Sequence, residues 1–163
     1  MKRINQLILA VVLLVAAPTG VFAQDNWKYK SDLQEGLIVV QNEDGMFGFI
    51  DESGKVAIPV KWDYAADFTE GMAKVQDSSL KMGFIDKTGK LVIPCKYEDA
   101  YYFTEGLCAV QDADGKYGFI DKTGATVIPF KYKDAAPFYD GVAEVVDENG
   151  TKHNIDKTGK VVK

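Results

Sequence analysis

Arginine is almost missing from this chain of 163 residues: Arg3 is the only one. Histidine occurs once, at His153, and cysteine twice, at Cys95 and Cys108, with no Cys-x-x-Cys pair. So few imidazoles and thiols exclude the common zinc-ligand spacings and leave a nucleophilic triad without its partners, since no Gly-x-Ser-x-Gly motif is present either. A phosphate loop is excluded as well. Between Gly83 and Lys90 five residues separate the glycines where four are required, and Leu91 follows the lysine where Ser or Thr must stand. Long apolar runs are also absent. The run from Leu7 to Ala17 covers 11 residues, too few to cross a hydrocarbon layer of about 30 Å at ~1.5 Å per residue.

That short run sits in a recognisable setting. Lys2 and Arg3 precede it, and Pro18 to Ala23 follow it with Val21 and Ala23 at the positions a signal peptidase reads. Residues 1–23 are therefore expected to be a signal peptide cut after Ala23, placing the mature chain 24–163 in the periplasm or outside the cell, without membrane insertion. No cysteine follows the cut to carry a lipid. Removing Lys2 and Arg3 leaves 19 − 2 = 17 basic residues, all lysine, against 24 acids, a net charge of −7. An acidic chain without a bidentate guanidinium is poorly equipped for phosphates, so nucleic acid is not an expected partner.

What the sequence has in abundance is repetition. Gly48-Phe49-Ile50-Asp51, Gly83-Phe84-Ile85-Asp86 and Gly118-Phe119-Ile120-Asp121 lie 35 residues apart, and Asn154-Ile155-Asp156 keeps the count. Glu35-Gly36, Glu70-Gly71, Glu105-Gly106 and Asp140-Gly141 follow the same phase, which gives four units of about 24–58, 59–93, 94–128 and 129–163. Within a unit the apolar period is two. In the third unit Leu107 to Gln111, Tyr117 to Ile120 and Thr126 to Ile128 read as strands separated by turns, a three-stranded meander, and Pro129 to Asp140 as an ordered connector with at most one helical turn. Asp121-Lys122-Thr123-Gly124 has the chemistry of a type I turn closed by a left-handed glycine, and its counterparts begin at Asp51, Asp86 and Asp156. Leu80 stands where Gly45, Gly115 and Gly150 stand, so that turn must change or be strained.

A unit of 35 residues cannot bury enough apolar surface to stand alone. The units must stack and share interiors, with core positions at Ile50, Ile85, Ile120 and Ile155, at Leu33, Phe68, Phe103 and Phe138, and at Val40, Val75, Val110 and Val145. The expected fold is all-β, four tandem units in an open array. A closed four-unit, propeller-like ring is the alternative, because the terminal half-units complement each other. The open array is favoured by the fourth unit, where Lys152 and Asn154 replace the aromatics Phe47 and Phe49 and make one face polar.

The order Gly-Leu-x-x-Val, Lys-Tyr-Gly-Phe-Ile-Asp-Lys-Thr-Gly, Val-Ile-Pro-x-Lys-Tyr resembles the WG-repeat family, also called KWG repeats, over essentially all of residues 24–163. The Trp-Gly pair that names the family is here Phe47-Gly48, Met82-Gly83 and Tyr117-Gly118, and it is replaced by Lys152-His153 in the last unit. The resemblance implies an all-β repeat domain of exported and multidomain bacterial proteins, an interaction module without established catalysis. It supplies no catalytic residues.

The residues themselves offer three candidates for function. Trp27, Trp62, Tyr97 and Tyr132 recur at the period, with Tyr64, Tyr101, Tyr102 and Tyr139 crowded in the same connectors; they form either a ledge for sugar faces or an extended peptide, or simply the cover between stacked units. Cys95 and Cys108 stand in apolar slots and are either packed thiols or, after export, a disulfide. His153 reads as a substitution in a capping unit and not as a catalyst. Catalytic residues, metals and cofactors are not expected. The reading is a non-catalytic module that binds a protein or an envelope polymer. The alternative is a carbohydrate-binding protein, and a hydrolase is a distant third.

Overall fold

A computed structural model describes residues 26–162; the expected signal peptide lies outside the described residues. The chain forms four antiparallel sheets of four strands each, in simple sequence order. The first contains β1 (Tyr29–Lys30), β2 (Leu37–Gln41), β3 (Phe47–Asp51) and β4 (Val56–Trp62). The second contains β5 (Tyr64–Ala65), β6 (Met72–Gln76), β7 (Met82–Asp86) and β8 (Leu91–Tyr97). The third is built from β9 (Asp99–Ala100), β10 (Leu107–Gln111), β11 (Tyr117–Asp121) and β12 (Thr126–Tyr132), and the fourth from β13 (Asp134–Ala135), β14 (Val142–Val146), β15 (Lys152–Asp156) and β16 (Val161–Val162).

Each sheet therefore has one strand more than the meander read from the sequence. The supposed connector is not helical. It continues as strand: β12 runs through Pro129 to Tyr132, and Asp134–Ala135 then opens the next sheet against Val145 and Val146. Proline is tolerated because β4, β8 and β12 are edge strands, where a missing N–H breaks no ladder. Pro59, Pro94 and Pro129 with the exposed Lys61, Lys96 and Lys131 also blunt those edges against pairing with other chains.

The Asp-x-x-Gly turns form as their chemistry demands. The Gly124 amide donates to the Asp121 carbonyl at 2.9 Å and the Asp121 amide to the Ala125 carbonyl at 2.9 Å. The Asp121 carboxylate accepts from the Thr123 amide and hydroxyl and from the Ala125 amide, and Asp51, Asp86 and Asp156 repeat this pattern. Leu80 keeps the same turn as its glycine counterparts and carries the strain, with φ at 61°.

The sheets share interiors. Phe49, Ile58 and Trp62 of the first sheet pack on Phe68, Ala73, Val75 and Ile85 of the second. Phe84, Ile93 and Tyr97 meet Phe103, Cys108, Val110 and Ile120, and Phe119, Ile128 and Tyr132 meet Phe138, Ala143, Val145 and Ile155. At the centre of each seam a β-strand phenylalanine meets a connector phenylalanine with ring centroids 4.9 Å apart: Phe49 on Phe68, Phe84 on Phe103, Phe119 on Phe138. The isoleucine and valine positions read from the repeat are all buried.

Leu33 is the exception among the expected core positions. It is 44% exposed, while Phe68, Phe103 and Phe138 in the same slot are at most 2% exposed. The reason is the array's openness: the partner that a ring would give Leu33 is at the slot of Phe49, and in the fourth sheet that slot holds the exposed Asn154. Among the described residues, every core that joins two sheets joins consecutive ones.

Candidate functional site

The glycine of the repeated motif has a specific duty. β4, β8 and β12 cross their neighbours through a register shift, and a Cβ built on Gly83 would lie 2.7 Å from the Ile93 carbonyl oxygen and 2.8 Å from the Cys95 amide nitrogen. Gly48 and Gly118 are crowded in the same way by Val60 and by Ile128 and Phe130. In the fourth sheet β16 pairs only with Asn154 and Ile155. His153 fills the glycine slot there, and its Nε2 lies 2.8 Å from Asp147 Oδ2. The histidine thus braces a hairpin turn, and its hydrogen bond leads the interactions that hold the Asp147 carboxyl below the usual carboxylate range.

The recurring rings divide into two sets. Trp62, Tyr97 and Tyr132 are buried in the seams, with the ammonium groups of Lys61, Lys96 and Lys131 over their outer faces at 4.8–5.1 Å. They cover the joints between sheets and are not part of a continuous surface ledge. Trp27 is half-buried beside Ile38, Val40 and Ile50. Tyr101 is half-buried against Tyr117, whose hydroxyl donates to Asp99. Of the connector tyrosines singled out by the repeat, Tyr64, Tyr102 and Tyr139 reach solvent, at 39%, 51% and 80% exposure.

The cysteines are free thiols and do not meet. Cys95 packs against the core of the first seam and Cys108 lies within that of the second. The expected alternative of a disulfide is therefore not realised: the two side chains serve different interiors. Burial and the neighbouring charge of Asp77 push the Cys95 thiol up to about 11, and burial pushes Cys108 higher. The raised values favour the protonated thiol, the less nucleophilic form, at neutral pH.

Two features escape a reading of the sequence by motif. One is a ladder along one rim. Glu35 accepts a hydrogen bond from the Gly71 amide at 3.0 Å and pairs with Lys87 at 3.0 Å. Glu70 does the same with Gly106 and Lys122, and Glu105 with Gly141 and Lys157. Each glutamate occupies a left-handed conformation, φ 51–52°, that a side chain ordinarily avoids. At each of the three the carboxylate ties one unit to the next, and Asp140, φ 50°, has the same backbone conformation. Desolvation raises the carboxyl of Glu70, and the Gly106 amide and Lys122 more than offset it, leaving a lowered pKa. At the two ends the pattern changes: the lysine slot of the first unit holds Glu52, and the glutamate slot of the last holds Asp140. The equal spacing of the Glu-Gly and Asp-Lys markers is the sequence trace of this ladder.

The other feature is a cavity of about 310 Å³ between the first and second sheets, bounded by Tyr29, Val39, Gln41, Phe47, Tyr64 and Asp67. It exists because the first seam departs from the repeat. At the slot of Val39 the next unit has Lys74, which reaches across the second seam to the Ala100 carbonyl. At the slot of Ser31 the third unit has Tyr101, which lies on Tyr117 in the third seam. Ser31 instead donates to Asp67 at 2.7 Å and leaves the space open.

Comparison with known proteins bears on the scaffold. The model of the WG containing repeat family matches residues 47–78, 82–117 and 117–150. No curated protein matches the sequence. Among solved structures, the chain is similar to the computationally designed Ika4 protein, with a TM-score of 0.50 and 12% identity over 76% of this chain and 87% of that one. It is similar to the designed Ika8 protein with a TM-score of 0.52 and 13% identity, over 81% of this chain and 46% of that one. BamB from Moraxella catarrhalis gives 0.49 and 13% over 82% and 47%. At such identities the likeness is one of fold. The three tandem matches of the family model span most of the folded region, and they begin 35 residues apart at β3, β7 and β11, the third strand of successive sheets, each running on into the next sheet: this chain belongs to the WG containing repeat family.

Proposed function

We propose that the chain is a non-catalytic binding module, exported to the periplasm or beyond, that engages a protein or an envelope polymer. One observation carries this reading. Stacking fixes a ring at Trp62, Tyr97 and Tyr132, but nothing in the stack asks for Tyr139, 80% exposed in a slot that holds Gln34, Thr69 and Thr104 elsewhere, or for Tyr102, 51% exposed where Asp32, Asp67 and Pro137 stand. Rigid sheets that present bulky rings from their connectors are suited to recognition, because two-torsion aromatic side chains give large contact area at little entropic cost. Carboxylates that recur with the repeat, such as Asp121 and Glu70, are tied into turns and the ladder, whereas acid-base chemistry would need a pair of unequal character. A carbohydrate-binding reading needs a row of ring faces, and with three of the four period-spaced rings interior it has less to stand on.

The experiment is retention of envelope proteins and polymers on the immobilised chain, beside a variant with Tyr102→Ser and Tyr139→Ser. Specific retention that the variant loses supports the reading. Equal retention by both, or none by the wild type, overturns it.

A further inference from the structure

We propose that the cavity of the first seam binds a quaternary or methylated ammonium group carried by the partner. This rests on the binding-module reading and names the chemistry of one of its contacts. Three rings bound the space: Tyr29 and Tyr64 are 49% and 39% exposed, and Phe47 lies at 56° to Tyr64 with centroids 5.7 Å apart, the corner of an aromatic box. Val39 forms an apolar floor, and Asp67 supplies a carboxylate whose Oδ1 is taken by Ser31 and whose Oδ2 has no partner among the described residues. Electron-rich ring faces with one nearby negative charge attract a cation. Tyr64 already shows the behaviour, with the Lys74 ammonium 5.9 Å from its centroid, and Lys74 does not border the cavity.

The polar inventory selects the kind of cation. A primary ammonium carries three N–H donors that need acceptors. The one charged acceptor of the lining, Asp67, is half engaged, and the others are neutral: the tyrosine hydroxyls and the carbonyl oxygen of Gln41, whose NH2 donates to the Gly45 carbonyl at 2.8 Å. A methylated ammonium needs none of them and loses little on leaving water. The acid excess of the chain, with a formal net charge of −5, favours a cation over an anion, and a neutral sugar would leave the Asp67 carboxylate without a counter-charge. The cavity of about 310 Å³ admits such a head group with part of its tether. The second and third seams lack the arrangement, because Lys74 and Tyr101 occupy the corresponding space.

The test uses the purified chain and choline, with 3,3-dimethyl-1-butanol as its neutral isostere and methyl glucoside as a sugar probe, read by calorimetry and by the NMR shifts of the tyrosine ring protons. Choline should shift the Tyr29 and Tyr64 resonances, with the neutral isostere at least tenfold weaker, about the factor one desolvated cation–ring contact gives. Tyr64→Leu should weaken choline tenfold or more and Asp67→Asn severalfold, with Asp67→Asn retaining the wild-type fold by circular dichroism. Equal binding of the isostere, a response to methyl glucoside in place of choline, or no response to any probe would overturn the assignment. If choline fails while the chain still retains an envelope partner through Tyr102 and Tyr139, the cavity assignment falls and the binding module stands.

Discussion

Replacing Gly83 by alanine tests the account of the strand crossing with a single methyl group. The new Cβ would lie 2.7 Å from the Ile93 carbonyl oxygen and 2.8 Å from both the amide nitrogen and the sulfur of Cys95. Two of these are backbone atoms of β8, so the strain cannot be relieved by turning a side chain. β8 must move away by roughly half an ångström, and it carries Ile93 and Tyr97 of the second seam and Cys95 against the first. Overpacking of this kind costs ~1–3 kcal/mol, and the reduced freedom of the unfolded chain returns only about 0.4–1. The net expectation is a loss of about 1–2 kcal/mol, or several degrees in Tm at ~2–4 °C per kcal/mol for a domain of this size. Urea denaturation followed by the fluorescence of Trp62, buried in the adjoining seam, reads the midpoint. The fourth sheet provides the control: His153→Gly changes the same slot where, among the described residues, the following strand pairs only with Asn154 and Ile155, and should alter stability through the lost contact with Asp147. An unchanged or raised midpoint for Gly83→Ala would refute the crossing argument.

Leu80→Gly should shift the same midpoint upward, by about 0.5 kcal/mol, because it relieves a left-handed leucine whose side chain is 68% exposed; a lowered midpoint would show that the side chain holds the hairpin. The depressed carboxyls of Asp51, Asp86, Asp121 and Asp156 stabilise the fold above their ordinary value of 3.8, and that contribution should disappear as pH falls through their lower folded-state values. Stability from pH 7 to 5 should therefore be nearly flat and drop below about 4, and NMR titration of Thr88→Ala should raise Asp86, whose largest support is that hydroxyl. Both thiols should resist Ellman's reagent at pH 8 in the native state and react once unfolded, since Cys95 is raised to about 11 and Cys108 is buried; rapid native reaction would contradict their packing.

The repeat period and the turn chemistry were legible because each copy of the motif satisfies itself locally: Asp121 and Gly124 close a turn within five residues whatever surrounds it. The buried isoleucines and valines followed from alternation for the same reason. Asp134 and Ala135 were not legible as strand, since they pair only where Val145 and Val146 present an edge. Leu33 was misplaced because apolarity at a repeat slot says nothing about whether the neighbouring unit offers a partner. The cavity at the first seam is a difference between copies: it arises from Ser31 and Val39 standing where Tyr101 and Lys74 stand, and comparing each slot across units is the signal that finds it.

Modular arrays built from one pattern face a hazard of unlimited growth, in which the tail of one molecule docks on the head of another and the process never closes. The rim of glutamates and lysines would encourage it, were it the same at both extremities. Instead a molecule arriving end to end would bring Asp140, a methylene shorter than its counterparts, toward Glu52, acid against acid, and Asn154 toward Leu33. Between two such four-unit arrays the contact that is attractive inside the chain would be repulsive, and two side chains, Glu52 and Asp140, make the difference.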